Sequence, residues 1–123
     1  LALAARGPER MMLVTDAMPS VGTDLAEFDL LGQTIRRANG KLTTSDGTLA
    51  GSDLDMAAAV RNAVAHLGVT LEDALRMASR VPAAFLRLDT ELGRIAPGCR
   101  ADLVLLDDGF RVKDTWIGGA LRH

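Results

Sequence analysis

Asp16 is the residue of this sequence whose type and position best suit proton-transfer chemistry. It follows residues 11–14, four apolar residues in a row, with only Thr15 between. A short apolar run of this kind is typical of a strand covered on both faces, as in a parallel sheet wrapped by helices. Ligands bind such sheets beyond the carboxyl ends of the strands, where Asp16 stands. The same pattern also fits an aspartate that only caps the turn after a strand.

The second candidate for chemistry is a loop of small residues before a predicted helix, formed by Leu49, Ala50, Gly51 and Ser52. Ser52 and Asp55 have the spacing of a capping box, and the helix is predicted to run to about Leu67, where Gly68 ends it. Backbone N–H groups at a helix start are free to bind an anion or a polar sugar group. A plain helix cap is the simpler interpretation of the pattern alone.

The sequence contains no complete metal-binding motif. His-x-His, Cys-x-x-Cys and His-Glu-x-x-His are all missing, so Asp16 is at most one contributor to a metal site. His66 has no second ligand one helical turn away and is interpreted as a partly exposed helix residue. Cys99 is interpreted as structural, and Arg36 and Arg37 as a solvated strand end.

Length, composition and charge exclude several function classes. The chain has 123 residues, 48% of them hydrophobic, and a formal net charge of −2. It is long enough for a domain with a core and lacks the basic surface of a nucleic-acid-binding protein. No apolar run approaches the roughly 18 residues that a membrane-spanning helix needs. The single cysteine favours a reducing cytoplasm, and we expect neither nucleic acid nor membrane as a partner.

Turn and capping residues divide the chain into predicted elements. A helix over the first residues is followed by strands near 27–31, 34–38 and 41–44, the last two joined by an Asn39-Gly40 hairpin turn. Thr70 is predicted to cap a second helix that ends near Arg80, and Pro82 to start a short third one that runs to about Arg87. From residue 92 the pattern changes to strands at 101–107 and 112–117 with a last short pairing. We therefore place a domain boundary between residues 1–92 and 93–123.

Five motifs in a fixed order connect these elements to a known family. They are LVTDAM at 13–18, GTLAGS at 47–52, AVRN at 59–62, ALRMAS at 74–79 and LGRIAPGCRADLV at 92–104. In this order they resemble the C-terminal third of the N-acetylglucosamine-6-phosphate deacetylases, a family of the amidohydrolase superfamily. The last motif is shared across the superfamily, whereas the first two, at this separation, are specific to the deacetylases.

The resemblance implies an α/β fold that is a C-terminal fragment of a larger enzyme. Residues 1–92 would be the C-terminal part of a (β/α)₈ TIM-barrel catalytic domain, and 93–123 the C-terminal strands of a small β-sandwich. By resemblance, residues 11–15 form the eighth barrel strand and Asp16 is the catalytic aspartate. Loop 49–52 would contact the substrate.

The implied reaction is hydrolysis of the N-acetyl group to give glucosamine 6-phosphate and acetate. A metal-activated water would attack, with Asp16 as general base and then general acid. The family's Glu and His metal ligands, its carbonyl-contacting His and its phosphate-binding Arg precede Leu1 by resemblance. A divalent metal, zinc or similar, is therefore expected in the full-length parent, while this chain alone is expected to be inactive and to bind none. The expected partners are a small amino-sugar phosphate and further copies of the chain, as a homo-oligomer.

Two alternatives remain open from the sequence. Another amidohydrolase, related to dihydroorotases or hydantoinases, would share the motif at 92–104, although the loop at 49–52 argues against it. The other alternative is a non-catalytic α/β module that self-associates through exposed strand edges.

Overall fold

The computed structural model describes residues 1–122; His123, the last residue of the predicted second domain, lies outside them. The chain is a mixture of helices and small antiparallel sheets, which agrees with the predicted α/β class. It divides into two compact units. The first contains Leu1–Val14 and the residues from Ala57 onward, and the second is Thr15–Met56. The division between residues 92 and 93 stays a prediction.

The first unit contains the helices. These are α1 (Ala2–Arg6), a 3₁₀ helix (Pro8–Arg10), α2 (Met56–Leu67), α3 (Leu71–Ala78) and α4 (Arg80–Phe85). The predicted cap of α3 is confirmed, because the Thr70 hydroxyl oxygen accepts a hydrogen bond from Asp73 N–H at 3.1 Å. Within residues 1–122, no helix has both the length and the apolar character required to cross a membrane.

Small apolar side chains form the core between α2 and α3. Val60, Ala63 and Ala74 are buried together, and partly buried side chains pack around them: Leu13, Val64, Val69, Ala78 and Phe110. Phe110 is the single aromatic residue of this cluster among the described residues, and its other members are small or aliphatic. Met56 and Leu67, the first and last residues of α2, are 38% and 57% exposed.

Residues 11–15 do not form the predicted strand. In the described structure they form no ladder of backbone hydrogen bonds with another strand. Leu13 N–H donates instead to the Met77 carbonyl of α3 at 3.0 Å. Leu13 packs against the core, whereas Met12 and Val14 are 37% and 77% exposed. The prediction of a strand covered on both faces was wrong here because a strand needs neighbouring strands, and no described strand lies beside this segment.

The last three strands of the first unit form an antiparallel sheet, as predicted. Its strands, β4 (Leu103–Leu106), β5 (Val112–Ile117) and β6 (Ala120–Arg122), are in sequence order. Asp102 stabilises one end of the sheet, since its carboxylate accepts hydrogen bonds from Gly118 N–H at 2.8 Å and from Arg100 Nε at 2.6 Å. The Arg100 guanidinium, with help from Gly118 N–H, holds the pKa of the Asp102 carboxyl below its usual range.

We expect the hydrogen bond from Gly118 N–H to the Asp102 carboxylate to weaken in acid. Because the folded pKa of Asp102 is lowered, its stabilising contribution is complete above the pKa of an unfolded aspartate and is lost as the pH falls through the lowered folded pKa. The Gly118 amide chemical shift, followed by NMR against pH, should therefore titrate with a midpoint below that of an aspartate in an unstructured peptide. An equal midpoint would contradict the prediction.

The second unit is built on another antiparallel sheet. Its strands, β1 (Glu27–Leu30), β2 (Gln33–Ala38) and β3 (Lys41–Thr43), confirm the three predicted strands. The predicted hairpin turn is also confirmed: Asn39 and Gly40 both have positive φ, 52° and 71°, as a two-residue turn with the twist of its strands requires. Ile35 and Leu42 form the buried face of the sheet.

Candidate active site

The second unit brings the two predicted site segments into direct contact. Ser52 N–H donates to the Asp16 carbonyl at 3.0 Å, and Met18 N–H donates to the Ser52 carbonyl at 3.0 Å. These bonds form a parallel bridge between Ala17 and Ser52. Asp16 and the loop at 49–52 are separated by more than 30 residues in sequence, so the fold is what joins them. Their roles in catalysis and substrate binding stay predictions.

The Asp16 backbone lies in the left-handed region, with φ of 53°. Most residues are strained there, but aspartate and asparagine tolerate the conformation better than other side chains. The side chain is exposed, and within residues 1–122 its carboxylate makes no hydrogen bond or ion pair. An aspartate that only capped the turn would use its carboxylate to accept a nearby N–H. The capping interpretation therefore finds no support, and the carboxylate is free to meet a ligand.

The loop at 49–52 is held by main-chain contacts that leave its outer face open. Ala50 N–H donates to the Leu42 carbonyl at 3.0 Å, and Leu49, in a bridge with Thr43, is 70% exposed. Gly51 has φ of 77°, and a Cβ atom built on it would lie 2.5 Å from Cγ of Met18. Only glycine fits this position without a shift of its neighbour.

The predicted helix start at Ser52 was wrong. The α2 helix begins at Met56, and the Ser52 hydroxyl accepts from Leu54 N–H at 2.9 Å in a local turn instead. Free N–H groups of α2 therefore do not lie in the loop, and the helix dipole does not favour an anion there. Any binding by the loop must come from its own exposed backbone and side chains.

An internal polar network that was not predicted from the sequence lies beside these segments. Arg37, predicted to be a solvated strand end, has a side chain only 23% exposed and forms an ion pair with Asp53 at 3.4 Å. Its neighbour Arg36 fits the prediction, with a side chain 68% exposed. The alternation of strand residues was the available signal, because Arg37 lies on the same face of β2 as the buried Ile35.

The described residues do not fit a complete metal site. In residues 1–122, no group of three or more His, Cys, Asp or Glu side chains is arranged to hold a metal ion. His66 is exposed near the end of α2, and the half-buried Cys99 directs its thiol to the Thr90 carbonyl at 3.6 Å. Asp16 has no second donor group in this part of the chain, so we derive no chemical step through a metal.

Whether the isolated chain binds zinc is open to a direct measurement. A lone carboxylate is a weak ligand compared with the three or four donors of protein zinc sites. After dialysis against a weak chelator, elemental analysis should find far less than one zinc per chain. One tightly held zinc per chain would show that this description of the site is wrong.

Comparison with known proteins places this arrangement in a family. Residues 10–122 match the model of the amidohydrolase family. The chain belongs to the amidohydrolase family. It is 47% identical over 97% of its length to the N-acetylgalactosamine-6-phosphate deacetylase of Shewanella sp. strain ANA-3, and 36% identical over 91% to the N-acetylglucosamine-6-phosphate deacetylase of Vibrio furnissii.

A solved structure shows the same fold. The crystal structure of N-acetylglucosamine-6-phosphate deacetylase from Pasteurella multocida aligns over 98% of this amidohydrolase chain with a TM-score of 0.90 and 33% sequence identity. The chain spans about 30% of the length of these relatives: 30% of the Shewanella protein, 28% of the Vibrio protein and 31% of the Pasteurella chain.

Proposed function

We propose that this chain is the part of an amino-sugar 6-phosphate deacetylase that carries its general base and a substrate-binding loop. The observation that carries the proposal is the pairing of Asp16 with the loop at 49–52, in a chain 47% identical to a deacetylase of this class. The chain spans about 30% of the relatives' length. The remaining groups of the site would come from the other part of the protein.

In the proposed reaction, the Asp16 carboxylate takes a proton from the attacking water as its oxygen bonds to the acetyl carbonyl carbon. The same carboxyl group then gives that proton to the amide nitrogen, and the C–N bond breaks to release acetate and the amine. The charge that develops on the carbonyl oxygen requires a stabilising group outside this chain. An exposed carboxylate without an internal partner suits both proton transfers, because no competing hydrogen bond must be broken first.

Two sugars are candidates for the substrate. The sequence motifs favour N-acetylglucosamine 6-phosphate, the substrate named for the Vibrio and Pasteurella relatives. The identity of 47% to the Shewanella relative, against 36% to the Vibrio relative, favours N-acetylgalactosamine 6-phosphate, which differs only in the configuration of one hydroxyl. We propose the class of N-acetylated hexosamine 6-phosphates and distinguish its members by experiment.

A chimera tests the proposal. It joins the part of the Shewanella enzyme that precedes its matched region to residues 1–123 of this chain, and acetate release is measured with both sugar phosphates. We expect deacetylation of at least one of them, and no hydrolysis of dihydroorotate or hydantoin. A chimera that is folded by circular dichroism but inactive, beside an active Shewanella enzyme, would overturn the proposal. Hydrolysis of a cyclic amide instead would favour the alternative amidohydrolase.

The wider architecture is part of the same proposal. Residues 1–92 would complete the C-terminal side of a TIM-barrel domain, and 93–123 would pair with other strands in a β-sandwich. A divalent metal, zinc or similar, would be held by groups outside this chain, and the enzyme would act in the cytoplasm. The family membership and the fold match of the Pasteurella structure support this architecture.

We also propose that the isolated chain self-associates. Large apolar side chains of the β4–β5 sheet are exposed, with Val104, Leu105 and Val112 at 57%, 50% and 53%. β4 is an edge strand of its sheet, and exposed apolar surface beside an open strand edge favours burial against another copy. Light scattering should give a mass above the 13.0 kDa of one chain, rising with concentration. A mass of one chain over a wide concentration range would count against this prediction.

A further inference from the structure

We infer that Arg37 and Asp53 form a clamp that holds the Asp16 segment against the loop at 49–52, so that both are positioning residues for the chemistry of Asp16. The clamp is the network of Arg37, Asp53, Ser20 and the Thr23 carbonyl. The clamp's role in catalysis rests on the proposed function, whereas its mechanical role does not. All four residues lie in the second unit.

Arg37 binds the segment that follows Asp16 at two points. Its Nη1 donates to the Ser20 carbonyl at 3.0 Å, and its Nη2 donates to the Thr23 carbonyl at 2.7 Å. The planar guanidinium can satisfy two acceptors at once from a fixed geometry, which a lysine ammonium cannot reproduce. The residues from Ser20 to Thr23 are thereby held to strand β2, from which the Arg37 side chain extends.

Asp53 binds the same network from the other segment. It directly follows Ser52, and its Oδ1 accepts from Ser20 Oγ at 3.3 Å and from Arg37 Nη1 at 3.4 Å. Ser20 is completely buried, so its hydroxyl depends on Asp53 for a partner. One carboxylate therefore connects the end of the loop at 49–52 with the segment that leaves Asp16.

The clamp lies immediately outside the main-chain bonds of the site. Asp16 and Met18 bond to Ser52, and the next anchored residues along the two segments are Ser20 and Asp53. If the clamp opens, these two segments lose their side-chain hydrogen bonds and keep the main-chain bridge at Ser52 and the contact of Met18 with Gly51. The position of the exposed Asp16 carboxylate relative to the loop would then vary.

Burial separates this ion pair from an ordinary surface pair. The Arg37 and Asp53 side chains are 23% and 18% exposed, whereas those of Arg36 and Glu27, 3.7 Å apart on the same sheet, are 68% and 63% exposed. Exposed pairs contribute little because water screens them, but removing one member of a largely buried network leaves its partners unsatisfied. Arg36 is thus a matched control for Arg37, with the same residue type on the same strand.

Amide hydrogen exchange of the full chain tests the clamp without reference to activity. Arg37→Met should raise the exchange rates of Ser52 N–H and Met18 N–H about tenfold or more, while Arg36→Met leaves them unchanged. Ala74 N–H, bonded to the Thr70 carbonyl at 3.0 Å in the other unit, reports whether the whole chain has unfolded. Equal effects of the two substitutions, or no effect of Arg37→Met, would overturn the clamp.

A milder variant covers the case in which Arg37→Met unfolds the chain. Arg37→Lys keeps the cation beside Asp53 but cannot bind both carbonyls, so it should give an intermediate rise in exchange at Ser52 and Met18. Where Arg37→Met remains folded, the combined effect of Arg37→Met and Asp53→Asn should be smaller than the sum of the single effects, because both remove the same contact. Fully additive effects of Arg37→Met and Asp53→Asn, or unchanged exchange rates in Arg37→Lys, would contradict the proposed clamp.

Kinetics of the chimera test the positioning role. Arg37→Met should lower kcat about 10- to 100-fold, with a smaller change in KM, because a small misplacement of the Asp16 carboxylate affects proton transfer more than sugar binding. Arg36→Met should leave both constants unchanged, and Arg37→Lys should restore part of kcat. Faster exchange with an unchanged kcat would show that the clamp does not serve catalysis. An inactive unsubstituted chimera would instead refute the proposed function. The existence of the clamp would then be tested by amide hydrogen exchange alone.

Discussion

Asp16→Asn in the chimera is expected to lower kcat about 10²–10⁴-fold, because the carboxylate that accepts and returns the proton is lost. Asparagine keeps the size of the side chain and tolerates the φ of 53° at this position, which alanine would not. KM should change little, since the sugar phosphate is held by other groups. The measurement is the rate of acetate release against substrate concentration.

A neighbouring aspartate provides the control for this substitution. Asp24 is exposed in the same unit and lies outside the segment 16–18 that bonds to Ser52, so Asp24→Asn makes the same chemical change at a different position. It should leave kcat unchanged. If Asp16→Asn retained most of the kcat of the unsubstituted chimera, Asp16 would not be the general base and the proposed mechanism would fail.

Gly51→Val is expected to raise KM by roughly tenfold or more, because the added side chain would displace Met18 and change the surface of the loop that is proposed to bind the sugar. A Cβ at Gly51 would lie 2.5 Å from Cγ and 2.6 Å from Sδ of Met18, so Met18 must move. The side chain would also occupy the exposed face of the loop that is proposed to bind the sugar. Proton transfer by Asp16 should be affected less than binding, so kcat should fall less than KM rises.

Gly22 is a close control for the backbone part of this effect. Its φ of 76° nearly equals the 77° of Gly51, but nothing lies within 4 Å of a Cβ built on it. Gly22→Val therefore carries the same conformational strain without the clash with Met18. An equal rise in KM from both substitutions would show that strain in the unit, rather than the loop's contact surface, controls binding.

Asp16→Asn and Gly51→Val together separate the chemical role of one segment from the binding role of the other. Asp16 and Gly51 lie on segments joined through Ser52, yet their expected kinetic effects differ in kind. A fall in kcat without a change in KM identifies an interaction made only in the transition state. A rise in KM with a smaller change in kcat identifies contacts made equally in the bound substrate. The reverse assignment would exchange the proposed roles of the two segments.

Elements that depend on neighbours in sequence were predicted correctly. The Asn39-Gly40 turn follows from two residues that adopt positive φ at low cost, and the start of α3 follows from a Thr70 hydroxyl within reach of the N–H three residues later. The predicted strand at 112–117 agrees with the observed strand β5, Val112–Ile117. The turn and the helix start need only local geometry, and β5 pairs with the strands next to it in sequence, so all three can be inferred from a short stretch of chain.

Elements that depend on distant partners were not predictable in this way. Residues 11–15 have the composition of a buried strand, but strand structure requires a neighbour, and the described fold places Leu13 against the helices instead. Likewise, Arg37 was predicted to be a solvated strand end, and although the alternation of β2 could have placed it on the face of Ile35, it could not show which groups Arg37 meets there. The candidate residues could be named from sequence because their types carry the chemistry. Their contact through Ser52, and the clamp beside it, required the tertiary structure, because hydrogen bonds between segments more than 30 residues apart form only when the chain folds.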